Sequence, residues 1–201
     1  MSRKFTRDDI EKLQDYGIHV PTRTLYLGAE GKSSNDEESG VDFLLAERVI
    51  KNIHILESVS KEPISVIMNN VGGDWYHGMA IHDAVKNSSC HITITVYGQA
   101  MSMATIILQA ADERVMMPNS ELMVHDGSEG YEGSPRSFEA WAKQSKKSRK
   151  KMYDIYAERS KMPSSFWEKK CGSDYFLSAE EAVKLGLADS ILEPPVPEKK
   201  D

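Results

Sequence analysis

Two β-branched runs, "ISVIMNN" (Ile64 to Asn70) and "HITITVYG" (His91 to Gly98), flank "GMAIHDAVKNS" (Gly78 to Ser88), whose apolar residues recur at helical spacing. Strand, helix and strand in that order are joined most economically as a parallel βαβ unit. The alternation continues on both sides. "RTLYLG" (Arg23 to Gly28) reads as a short strand, and "DFLLAERVIKNIHILESV" from Asp42 carries Leu45, Val49, Ile53 and Leu56 at intervals of three and four, with Asp42 placed to cap the helix. Ser102 to Ala111 again has helical spacing. "RVMM" (Arg114 to Met117) and "ELMVH" (Glu121 to His125), separated by the turn "PNS", read as two further strands. The pattern predicts an α/β chain.

With 201 residues, 40% of them hydrophobic, the chain suits one globular domain with its own core. We expect an N-terminal arm over residues 1–20, in which Ile10, Leu13 and Gly17 permit one short helix, then a single domain over 21–193 and a disordered, Pro-rich tail over 194–201. "AEGKSSNDEESG" (Ala29 to Gly40) reads as a solvated loop. Beyond the Gly-rich stretch Gly127 to Gly133, a long polar helix is expected from about Phe138 to Ser160. The last helix begins at "SAEE", where Ser178 and Glu181 stand at capping-box spacing, and a short strand follows around Ala188 to Leu192.

Several function classes are disfavoured. A net charge of −6 argues against a general affinity for nucleic acid or anionic lipid. The basic run "KQSKKSRKK" (Lys143 to Lys151) shares its helix with Glu139, Asp154 and Glu158, and reads as a solvated or subunit-contacting face. Cys90 and Cys171 form no zinc-ligand pattern, and His77 and His82 are spaced by five, not the four that puts two ligands on one helix face, so no metal is expected. Neither a phosphate-loop lysine nor a dinucleotide fingerprint follows Gly72-Gly73, so no cofactor is expected. No stretch approaches the roughly 18 apolar residues of a membrane span, and the cysteine usage and N-terminal composition suit a cytoplasmic protein. Trp75, Trp141 and Trp167 read as packing or subunit-contact residues.

A serine needs a base, a group that orients the base, and donors for the oxyanion formed on attack. Ser102 follows a strand and opens a helix, so its side chain is presented where helix N–H groups also point. His125 ends another strand, on the side where parallel α/β sheets build their sites. Gly72-Gly73 ends a third strand, where a backbone N–H can approach a ligand closely. Residue pattern alone leaves both readings open: a serine at a helix start also caps, and a strand-end histidine also packs.

"GQAMSMA…MMPNSELMVH", with "NNVGG" before it and "DYFLSAEEAVKLGLADSIL" after it, resembles the proteolytic subunit of the Clp protease over about Arg23 to Leu192. The family motifs read approximately GQAASM, LPNSRVMIHQP, NSPGG and D-x-F-[LM]-S-A-x-E-A-x-x-Y-G-L-[IV]-D, in the same order. The resemblance implies an α/β fold of the ClpP/crotonase type, a ββα superhelix with a long protruding handle helix at about 127–160. It makes Ser102 the nucleophile, His125 the general base and Asp174 the carboxylate that orients it, with the backbone N–H groups of Gly73 and Met103 as the oxyanion hole. The implied activity is a self-compartmentalising serine endopeptidase acting on unfolded proteins or peptides. The resemblance further implies a homo-oligomeric, heptameric ring that can stack as a tetradecamer, fed by an AAA+ ATPase partner.

The chain departs from the family in places. S-P-G-G is "NVGG", and H-Q-P is "HDG", which sets Asp126 beside the candidate base, either to act on it or to face solvent. The Ser102 to His125 interval is two residues short. Ser173 replaces an arginine that joins an ion pair between stacked rings, and Ser65 and Thr95 stand beside Ile67, Tyr97 and Met117 where the ATPase would dock. Asn35 to Ser39 is an acidic insertion. Two other classes stay open at this level: a catalytically inactive structural subunit of a mixed ring, and a crotonase-type acyl-CoA enzyme with the same fold.

Overall fold

The computed structural model describes residues 5–28 and 40–193; the insertion Asn35 to Ser39 and the tail 194–201 lie outside them. In chain order the elements are α1 (Arg7–Tyr16), β1 (Ile18–His19), a single 3-10 turn (Val20–Thr22), β2 (Thr24–Leu27), α2 (Phe43–Val59), β3 (Ile64–Asn70), α3 (Trp75–Lys86), β4 (Ile92–Met101), α4 (Met103–Leu108), β5 (Glu113–Met116), β6 (Glu121–Val124), α5 (Pro135–Arg159), α6 (Ser164–Lys170), β7 (Tyr175–Ser178), α7 (Ala179–Leu185) and β8 (Ser190–Ile191).

Local chemistry sets many of these boundaries. Asp42 caps α2 by accepting from the Leu45 N–H at 2.9 Å, and Ser178 and Glu181 form the expected capping box on α7. Thr6 and Asp9 form a second box on α1, which Gly17 ends in the left-handed conformation. Helix α5 begins three residues before its first large apolar side chain, Phe138, because Ser134 caps it and Pro135 occupies the first turn, where a missing N–H is harmless. Helix α6 was not expected from periodicity. It is seven residues long and has one buried side chain, the fully buried Trp167, whose ring lies 5.4 Å from Tyr156 and whose Nε1 donates to Ser160 Oγ at 2.9 Å.

The sheet runs β1-β2-β3-β4-β5-β8, with β2 through β5 and β8 parallel, as alternating strand and helix predicted. Strand β3 buries alternate residues, Ile64, Val66, Met68 and Asn70. Leu45, Ile53 and Leu56 of α2 are fully buried in the same core, each contributing roughly 1.5–3 kcal/mol. All six residues of α4 are buried.

Strand β4 is the element that positions the site. Its first half, Thr93 to Val96, pairs with β5, whereas Gln99 to Met101 pair with β6 in parallel. Between the halves lies Gly98 at φ 72°, where the strand changes partner. The C-terminal ends of β4 and β6 therefore run side by side, with Met101 opposite Met123. Strand β7 then pairs with β6 antiparallel, with Tyr175 opposite Val124. Helix α5 is anchored through Met152, Tyr153 and Tyr156 near its C-terminal end, while residues 131–140 are exposed. It is a protruding handle. No helix among the described residues is long and apolar enough to cross a membrane.

Candidate active site

Ser102 joins β4 to α4 at φ 52°, ψ −121°, and with Arg23 it is one of two non-glycine residues with positive φ among the described residues. Such a conformation costs roughly 1–3 kcal/mol and needs surrounding structure to hold it. Here the Ser102 N–H donates to the Met123 carbonyl on β6 at 2.8 Å, and its own carbonyl accepts from the N–H and hydroxyl of Thr105, at 3.0 and 2.6 Å. Ser102 makes no side-chain cap to α4, so its hydroxyl is free for other contacts.

That hydroxyl meets His125. The last paired residues of β4 and β6 are opposite each other, and His125 follows β6 directly, so its Nε2 comes to 2.8 Å from Ser102 Oγ. The other ring nitrogen, Nδ1, lies 2.9 Å from Asp174 Oδ1, because β7 brings the residue before Tyr175 to the end of β6. With the imidazole proton on Nδ1 donated to the carboxylate, Nε2 accepts the serine O–H. The three expected side chains thus form one continuous chain of contacts. The His125 side chain is 24% exposed and that of Asp174 is 61% exposed.

Gly72 and Gly73 follow the next strand, β3, and Gly72 lies against the Ser102 turn. The Gly72 N–H donates to the buried Asn70 Oδ1 at 2.8 Å, its carbonyl accepts from Val41 N, and Asp74 N donates to the Val41 carbonyl at 2.8 Å. Both glycines have positive φ, 90° and 148°. A Cβ at residue 73 would fall 2.4 Å from the Val41 carbonyl oxygen, and one at residue 72 would fall 2.8 Å from Met103 N. Only glycine fits at either place. Met103 opens α4, where an N–H has no intrahelical partner.

Asp126 turns away from the imidazole. Its carboxylate accepts from the Tyr153 hydroxyl at 2.5 Å and lies 3.5 Å from Arg149 Nη1, both on α5, while its N–H donates to the Cys171 carbonyl at 2.7 Å. The residue beside the candidate base therefore tethers the handle and the loop that leads to Asp174. Burial, with Asp126 adding to it, pushes the Cys171 thiol up to about 12, so this nearby sulfur stays protonated and inert.

A cleft of about 530 Å³ runs from Ser102 to α5, lined among others by Val71, Trp75, Ile106, Trp141 and Met152. Trp75 and Trp141 thus border the site, and only Trp167 of the three tryptophans is wholly a packing residue. Sequence reasoning missed Asn70, Thr105 and Tyr153, which hold the glycine strip, the serine turn and Asp126. The one available signal was Asn70, a polar residue at an inward position of an alternating strand.

The family model described as Clp protease matches residues 38–195. An ATP-dependent Clp protease proteolytic subunit from Deinococcus radiodurans is 33% identical over 156 residues, covering 76% of this chain and 76% of that protein. Among solved structures, a point mutant of ClpP1 from Listeria monocytogenes superposes with a TM-score of 0.76 at 26% identity, over 91% of this chain and 96% of that one.

Proposed function

The chain belongs to the Clp protease family, and from that premise we propose that it is a serine endopeptidase that hydrolyses peptide bonds of unfolded proteins or peptides through Ser102, His125 and Asp174. The observation that carries this reading is the His125 ring, with 2.8 Å to Ser102 Oγ on one side and 2.9 Å to Asp174 Oδ1 on the other. Ser102 Oγ attacks the scissile carbonyl as His125 Nε2 takes its proton, and Asp174 holds the ring and stabilises its protonated form. The backbone N–H groups of Gly73 and Met103 receive the negative charge on the carbonyl oxygen. His125 then gives the proton to the leaving amine, and a water, deprotonated by the same ring, cleaves the acyl-enzyme.

The name of the Deinococcus relative supports an ATP-dependent, multi-subunit setting. We assign the chain to a heptameric ring that can stack as a tetradecamer through α5, served by an AAA+ ATPase in the cytoplasm. Enclosing the sites protects folded proteins from indiscriminate cleavage.

The test is intact-mass spectrometry after fluorophosphonate treatment of the native chain and of Ser102→Ala. One adduct on the native chain and none on the variant is expected, with peptide cleavage abolished in the variant. An equal adduct on both, or full cleavage by Ser102→Ala, would overturn the assignment. The exposed Asp174 motivates a second reading, a catalytically inactive structural subunit of a mixed ring, and absence of any adduct on the native chain would favour it.

A further inference from the structure

Gly78 is the fourth residue of α3, buried, in a helix interior where glycine is the weakest former after proline. What it accommodates is Met103. A Cβ at residue 78 would fall 2.2 Å from Met103 Cγ, 2.7 Å from Cε and 2.8 Å from Sδ. Met103 is itself only 3% exposed, its side chain laid on α3 where a hydrogen is all that fits.

The contact joins the two pieces of backbone that carry the proposed oxyanion donors. Gly73 immediately precedes Asp74, the cap of α3, so its N–H is fixed to that helix, whereas the Met103 N–H is the first of α4. Met103 lying on Gly78 sets how closely the two helices approach. A second contact closes the other side, because a Cβ at Gly72 would fall 2.5 Å from the Met101 carbonyl oxygen and 2.8 Å from Met103 N.

We propose that Gly78 is a positioning residue whose missing side chain sets the separation of α3 and α4, and with it the span between the Gly73 and Met103 N–H groups. The inference rests on the reading of Ser102 as nucleophile and of those two amides as its oxyanion hole. A methyl group at residue 78 pushes Met103 off α3 and draws its N–H away from the oxyanion position, where donors must lie within about 2.7–3.1 Å. Because that bond matures in the transition state, the loss falls on kcat and leaves KM largely unchanged.

The experiment measures kcat and KM on a fluorogenic peptide, and the rate of fluorophosphonate labelling, for the native chain, Gly78→Ala, Met103→Ala, the double variant and Ser102→Ala, with circular dichroism to establish folding. Gly78→Ala is expected to fold, with kcat and labelling rate down about tenfold to a hundredfold. Adding Gly78→Ala to Met103→Ala is expected to change kcat by less than about twofold, since the side chain it collides with is gone. Native kcat in folded Gly78→Ala would overturn the inference. So would a double variant as far below Met103→Ala as Gly78→Ala is below the native chain, and if Gly78→Ala does not fold, a drop of tenfold or more from Met103→Ala to the double variant decides against it. Ser102→Ala separates the two levels: labelling retained there sinks the nucleophile reading, whereas labelling lost there with Gly78→Ala unaffected sinks only the positioning role.

Discussion

The hydroxyl of Tyr153 donates to Asp126, one residue from the candidate base, and neither partner of that contact could be paired from the sequence. The two lie 27 positions apart, and "HDG" alone left Asp126 equally able to act on His125 or to face water. Burial, and then the Asp126 carboxylate, push the Tyr153 phenol well above its ordinary range. A raised phenol favours the folded state below its unfolded value of about 10, and that contribution is lost as pH rises toward the folded value. Tyr153→Phe should therefore lower stability by about 1.5–3 kcal/mol at neutral pH, the worth of a hydrogen bond to a charged acceptor. Urea denaturation of the two proteins checks it. An unchanged midpoint at pH 7 would mean that the contact contributes nothing.

At the scale of elements, Arg114 is the least expected residue. It opens an apolar segment in the sequence, yet it is 4% exposed, and its guanidinium joins four parts of the chain. It donates to Asp189 before β8, to Gln109 Oε1 after α4 at 2.6 Å, to the Gly186 carbonyl after α7 at 2.9 Å and to the Arg159 carbonyl at the end of α5 at 3.2 Å. Burial pushes Asp189 up, but the hydrogen bonds from Arg114 outweigh it and hold the carboxyl below its ordinary value. A depressed carboxyl stabilises the fold above its unfolded value, near 4, and that gain is lost as pH falls through the folded value. Asp189→Asn removes the charge opposite Arg114, whose guanidinium keeps Gln109 and the Gly186 and Arg159 carbonyls. With the Asp189 side chain 40% exposed and its charge screened by solvent, the change should cost about 1 kcal/mol at pH 7. The gap in urea midpoint between native and variant should narrow as pH is lowered toward about 3. A gap independent of pH would assign the effect to packing.

Over the whole molecule, charge is unevenly divided. Helix α5 carries eight Lys and Arg against three Asp and Glu, in a chain whose net charge is −6. Lys143, Lys146, Lys147, Lys150 and Lys151 are all exposed along it. If rings stack through this helix as proposed, each handle meets another of the same sign, without the arginine that Ser173 replaces. Like charges repel over a Debye length of about 10 Å at 0.1 M salt but only about 3 Å at 1 M. The stacked form should therefore gain on the single ring as salt is raised, which sedimentation velocity would follow. A stacked population that falls with salt would point to opposite charges meeting at that interface.

The sequence by itself determined what depends on neighbours within a few residues. Capping of α2 by Asp42 and of α7 by Ser178 and Glu181, the alternation of β3 and the parallel βαβ order are all governed by contacts three or four positions apart or by a short period. Family motifs added the candidate residues. Only the tertiary structure decided that they meet, because Ser102 and His125 are 23 positions apart, and His125 and Asp174 are 49 apart. Their contact depends on β4 changing partner at Gly98 from β5 to β6, and on β7 folding back along β6. The same holds for Gly78 beneath Met103 and for Arg114 among four separate parts of the chain. Each is a close approach between distant segments, fixed by how the core packs and not by any local preference of the residues involved.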